Sequence, residues 1–362
     1  MFVVYILFFS LKMLTFAGRM RQCAAPCPNS LFTEMRLILQ LLKTESKPIR
    51  GLLWLEWAMV VYMVLTTLFI AVTFARLHAP VQMLLGRCQA LLMTLALWGA
   101  YRLYPCRLSL LCRVAGQMLF LVWWYPDTFE LNRIFPNLDA FFARAEQSIF
   151  GFQPALVFSE TFSSPVVSEL LSLGYVSYFP MIVAVAFYYF FFRYEHFLRT
   201  SFVIIASFFL FYTIFIALPV AGPQFYYPAV GAEQIAHGVF PWLGDYFYRL
   251  PFDVANSEQS LPIPGWSDGL FYRLLTHAHN AGERPTAAFP SSHVGVTTVV
   301  LWLAYEARSR RLFFSMLPLA VLMFFATFYI QAHYAIDAVA GLVAGTLMYF
   351  LFRRVYSLLT QV

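Results

Sequence analysis

The sequence predicts an all-α polytopic membrane bundle of about eight transmembrane helices. Three observations carry that prediction. Hydrophobic residues make up 61% of the chain and charged residues 12%, where soluble domains run at about 45–50% and about 25%. Apolar runs of membrane length recur along the chain, and a spanning helix needs about 20 such residues. Phe (40) and Tyr (21) are abundant, as in the aromatic belts at membrane–water interfaces. In this setting a net charge of +6 reads as basic loops held on one side of a bilayer. It does not read as nucleic-acid binding.

Residues 1–17 are apolar but contain Lys12, and further positive charges follow the run rather than precede it. A secretory signal has the opposite order. The stretch reads as a short anchoring helix or, since Met13, Met20 and Met35 follow, as an overlong start. The rest of region 1–50 is a basic cytoplasmic segment suited to the membrane surface. Cys23 and Cys27 form CAAPC there without nearby histidines, and the five cysteines show no disulfide framework. Region 51–126 holds spans at about 54–75, 84–104 and 108–125. Region 127–167 has Phe and Leu at the spacing of an amphipathic helix lying at the interface. Region 168–352 holds spans at about 168–192, 201–219, 293–306, 312–331 and 335–352. It includes a long loop, 220–292, rich in Pro, Gly, Tyr and Trp, which reads as an ordered cap. Residues 353–362 form a cytoplasmic tail.

Positive charge sets the sidedness. The N-terminal region carries seven Lys or Arg, and the connections after spans two, four and six carry Arg107, Arg193, Arg199, Arg308, Arg310 and Arg311. The tail adds Arg353 and Arg354. The alternate connections are poorer: 126–166 has two Arg against five acids, and 220–292 has three Arg against six acids. Eight spans with both ends cytoplasmic satisfy the pattern.

That orientation places two polar constellations together on the non-cytoplasmic side, PSSH (Pro290 to His293) and HYAID (His333 to Asp337). Ionisable side chains at the edge of membrane-length runs mark functional sites by default. On a helix His333 and Asp337 share a face. Asp337 would then accept from one ring nitrogen of His333 and leave the other as nucleophile or base. PSSH opens an apolar helix, with Pro290 in its first turn. Ser291 and Ser292 stand beside free amides in an arrangement suited to phosphate, and His293 can donate a proton to a leaving oxygen. Each motif alone also has a plain structural reading, a polar helix pair or a capped helix start. Together they supply what phosphodiester chemistry needs: a nucleophile, a proton donor opposite, and donors around the equatorial oxygens.

FPSSHVG and HYAIDAVAG resemble the second and third signatures of the type 2 phosphatidic acid phosphatase superfamily. The resemblance is strong over about 282–345. It implies a six-helix core, a phosphorus nucleophile at His333 supported by Asp337, and a general acid and base at His293. The chain departs from the common pattern where a Ser-Arg pair would supply a phosphate clamp, because Ala326 and Thr327 stand there. His277 and Arg284-Pro285 keep the spacing of the first signature, with His for Lys, but only a few residues before PSSH. Arg284 is the candidate substitute clamp. The pattern is similar to inositol phosphorylceramide synthases, which move a phospho-head-group between lipids. The resemblance thus implies a phospholipid donor, a lipid alcohol such as ceramide as acceptor, and no metal or cofactor. A lipid phosphatase using water, and a non-catalytic lipid-binding or scrambling protein, are the alternatives. The expected location is the cell membrane.

Overall fold

The computed structural model describes residues 39, 41–249, 260–282 and 284–361. The expected anchor at 1–17 and the Cys23–Cys27 motif lie outside them. Among the described residues every regular element of the chain is helical, with no strand. Three long helices come first, α1 (Trp54–Thr73), α2 (Pro80–Leu103) and α3 (Arg107–Asn132). Two short ones follow, α4 (Asp139–Phe150) and α5 (Pro154–Thr161). Then come α6 (Pro165–Val176), α7 (Tyr178–Phe192) and α8 (Tyr194–Ala217). The long loop carries α9 (Pro223–Val230), α10 (Ala232–Ala236), α11 (Tyr246–Arg249) and α12 (Leu270–Gly282). The chain closes with α13 (Ser292–Glu306), α14 (Arg310–Tyr329) and α15 (Ala335–Leu359).

Among the described residues six helices are long and apolar enough to cross a membrane: α1 with its 3₁₀ extension to Arg76, α2, α3, α8, α14 and α15. Helices α6 and α7 meet at 47° and make a seventh span if taken as one. The expected straight span at 168–192 is therefore broken at Ser177. Helix α13 has 15 residues and rises about 22 Å, short of the ~30 Å hydrocarbon core. It lies inside the bundle, packed by α7, α8, α14 and α15. Helix α8 is the axis of the bundle, with 78% of its apolar window buried against 28–39% in the other long helices.

The buried charges within the first three helices are paired. Arg113 and Glu56, both fully buried, form a bridge of 2.5 Å, and Arg87 meets Asp127 at 2.7 Å. Asp127 and Glu130 belong to α3, which continues past the expected end at 125, through Pro126, to Asn132. Its last turn is held by tertiary partners. Besides the Arg87 bridge, Asn132 Nδ2 donates to the Phe215 carbonyl (3.2 Å) and to Thr286 Oγ1 (2.5 Å).

Glycines set the distance between α13 and α15. A Cβ on Gly345 would stand 2.1 Å from the Gly295 carbonyl oxygen, and one on Gly341 2.4 Å from that of Ser291. These contacts bring the first turn of α13 against the second and third turns of α15. The opposite end of the bundle is basic. Glu306 there accepts from Arg199 (2.8 Å), Tyr349 (3.1 Å) and Arg353 (3.3 Å). PSSH and HYAID thus share one end, and the arginine-rich connections share the other.

Candidate active site

Helix α13 begins with Ser291 as its N-cap, the Oγ accepting from the Val294 amide at 3.4 Å. Pro290 lies before the cap, after a cis Phe289–Pro290 bond, rather than in the first helical turn as the sequence suggests. The Ser291 amide is occupied, donating to the Asp337 carbonyl at 3.0 Å. The next two amides, of Ser292 and His293, make none of the described backbone hydrogen bonds. They form a helix N-terminus of the kind that binds anions. Ser291 is fully buried, while Ser292 and His293 are half-buried.

His333 is buried and fixed from two sides. Its amide donates to the Thr327 carbonyl (3.1 Å), and its Nδ1 lies 2.7 Å from the Ala288 carbonyl oxygen. A carbonyl can only accept, so Nδ1 carries the proton and a neutral His333 has its lone pair on Nε2. That Nε2 faces His293 Nδ1 at 3.4 Å. The His293 ring is stacked on Tyr175, centroids 4.6 Å apart, and tilted against Tyr178 at 4.7 Å. The Ala288 carbonyl follows a turn through Ala287 at φ +68°, and His333 follows Gln331 at φ +64°. Both are left-handed conformations that a residue with a Cβ adopts reluctantly, and such strain gathers at functional sites.

Asp337 does not take the role that its spacing suggests. Its Oδ2 is 3.8 Å from His333 Nδ1, beyond hydrogen-bond reach, and instead accepts the Tyr334 amide at 2.9 Å. The reason is where α15 starts. Ala335 is its first residue and Tyr334 its N-cap, so His333 precedes the helix and the one-turn relation does not apply. Asp337 is the carboxylate that closes the first turn of α15. The Ala288 carbonyl orients His333, and Asp337 stands beside the ring without bonding it.

Two further carboxylates stand under this turn, both on α4. Glu146 Oε1 accepts the amides of Ala335 (2.5 Å) and Ile336 (3.3 Å). Asp139 accepts from the amides of Ala221 (2.6 Å) and Gly222 (2.8 Å), from Asn137 Nδ2 (2.6 Å), and from the Tyr334 hydroxyl (3.0 Å). Burial pushes Asp139 upward against these four donors. Burial first, and then the charge of Asp337, push Glu146 up to about 8, with the two amides opposing. Helix α4 was expected to lie flat at the interface. Its polar face instead supports α15, and Asp139 and Glu146 are fully buried. The two acids are seven residues apart, two helical turns on one face. That spacing was the signal available in the sequence.

The long loop is tied to the same place. Gly222, at φ +89°, passes so close to Ala332 that a Cβ would stand 2.5 Å from its carbonyl oxygen, and the Gln224 amide donates to the Gln331 carbonyl at 2.8 Å. Tyr226 and Tyr227 are buried as packing residues. Glu169 of α6 caps α12 through the amides of Phe271 and Tyr272. Arg284 is half-buried, four residues before Ala288, and its carbonyl accepts the Thr286 amide at 2.7 Å. His277 is on an exposed face of α12. Ala326 and Thr327 are fully buried, so that stretch of α14 offers no cation.

A family model described as the PAP2 superfamily matches residues 140–351. No curated protein and no solved structure matches the chain.

Proposed function

Because the chain belongs to the PAP2 superfamily, whose members are membrane phosphatases or phosphotransferases, we propose that it transfers a phospho-head-group between lipids. The donor is a glycerophospholipid, with phosphoinositol as the first head group to try, and the acceptor a lipid alcohol such as ceramide. The observation that carries the reading is the pair of imidazoles. The Ala288 carbonyl holds the Nδ1 proton of His333, and the Nε2 lone pair faces His293 at 3.4 Å.

In this reading Nε2 of His333 attacks phosphorus, and the bond to the diacylglycerol oxygen breaks. His293 gives its proton to that oxygen. The head group is then on His333 as a phosphoramidate. His293, now a base, takes the proton of the acceptor hydroxyl, whose oxygen attacks phosphorus and frees His333. Ser292 and the amides of Ser292 and His293 serve the equatorial oxygens, with Ser291 capping their helix and Arg284 entering from the loop. Asp337 favours positive charge on His333 as the new bond forms. Attack needs nitrogen within about 3–3.5 Å of phosphorus, with the acid beyond the leaving oxygen. Two nitrogens 3.4 Å apart leave no room for phosphorus between them, so the His293 ring turns aside when substrate enters.

The buried Ala326 and Thr327, in place of a Ser-Arg pair, favour transfer over phosphatase action. A phosphodiester carries one negative charge, and a phosphate monoester carries up to two, so the diester needs the weaker cationic clamp. The site is assigned to the non-cytoplasmic face, opposite the arginine-rich end. The test is to give the purified chain labelled phosphatidylinositol with and without ceramide and follow every phosphorylated product. A new sphingolipid formed only with ceramide supports transfer. Inorganic phosphate released from phosphatidic acid or a polyprenyl pyrophosphate, with no transfer product, would replace it by the phosphatase reading.

A further inference from the structure

Beside the candidate site, a cleft of about 410 Å³ lies between α5 and the spans α14 and α15. Among the described residues no charged side chain lines it, and Thr161 supplies its one hydroxyl. Its size falls within the ~300–1,000 Å³ range of small-ligand pockets. One part of the cleft is lined by Ala335, the first residue of α15 and two residues from His333. Another is lined by Val339, which is exposed together with Leu342, Val343 and Leu347 of the same helix. An exposed apolar face on a spanning helix meets lipid. The cleft therefore runs from the bilayer side of the bundle to the start of α15, walled by Phe158 and Phe328.

We propose that this cleft holds one hydrocarbon tail of the lipid substrate while the head group lies at His333. The proposal rests on the reading of His333 given above. A tail fits what the cleft offers, which is an apolar wall, an opening to the membrane and an end at Ala335, two residues from His333. Bilayer and cleft are similarly apolar, so moving a tail between them gains little. The cleft's contribution is position, and it selects among lipids by tail length. Residues Phe150 to Phe162, outside the pair of signature motifs, thereby take part in substrate choice.

The experiment uses the full chain in mixed micelles and phosphatidylinositol with a photoactivatable diazirine at the end of one tail. Irradiation is expected to label peptides within 150–162 and 324–339. Labelling confined to other helices, or no labelling, would overturn the proposal. A second arm fills the cleft with Val157→Trp. Turnover of the long-tailed lipid should fall at least about tenfold, while turnover of a four-carbon-tailed analogue stays within about twofold. Equal loss with both, or loss with neither, would contradict the assignment. The labelling arm needs no turnover. Wild-type chain that labels in the cleft but forms no product would therefore count against the catalytic reading and not against the cleft.

Discussion

His293 is the residue whose role is most cleanly separable by chemistry. As the proton donor to a lipid alkoxide it is worth about 10²–10⁴-fold in rate. A nitrophenolate leaving group needs no proton. His293→Ala should therefore lose about that factor with phosphatidylinositol and far less with a nitrophenyl phosphodiester, measured side by side. Equal loss with both substrates would make His293 a structural neighbour of His333. At this scale the sequence was informative about identity and misleading about partnership. Both histidines stand where membrane-length apolar runs begin or end, which makes them legible. The bond from His333 to the Ala288 carbonyl joins residues 45 apart, and no local pattern encodes it. The spacing of His333 and Asp337 suggested a bond on one helical face, but the helix starts two residues too late for it.

Among the elements, α4 is the one whose function the sequence concealed. Its amphipathic pattern was plain, but a pattern does not say whether a polar face meets water or the end of another helix. Glu146 meets the first amides of α15, and its titration gives a test. Its folded value of about 8 stands above the ordinary 4.5, so the folded chain holds this proton more tightly than the unfolded chain. The resulting stabilisation is complete below the unfolded value and is lost as pH rises through the folded one, by up to about 1.4 kcal/mol per pH unit. Gln keeps an acceptor for both amides and cannot ionise. Thermal unfolding of wild type and Glu146→Gln in detergent should therefore converge below about pH 4.5 and separate by pH 8, with the variant the more stable. Parallel curves would mean that Glu146 is ionised throughout. The bend at Ser177 and the passage of α3 through Pro126 were hidden for a related reason, since both depend on what the neighbouring helices supply.

The whole molecule is a bundle with two chemically distinct ends. The spans were legible because a bilayer demands long apolar runs, and a basic bias marks cytoplasmic loops. The short α13 was legible only as a weak segment, because a helix enclosed by other helices need not match the membrane's thickness. Sidedness can be tested with single cysteines placed in a chain cleared of its own. Val239→Cys in the long loop should react with an impermeant maleimide on intact cells. Arg354→Cys near the end of α15 should react only after permeabilisation. The reverse pattern would place the site on the cytoplasmic face.

The central claim is a covalent bond between phosphorus and His333, and a chemical quench tests it most directly. Wild-type chain is mixed with phosphatidylinositol labelled at phosphorus, without acceptor, then quenched in base and mapped by peptide. The account predicts an acid-labile, base-stable label on the peptide carrying His333, absent from His333→Ala. Undiminished turnover by His333→Ala, or a labelled peptide that lacks His333, would contradict it.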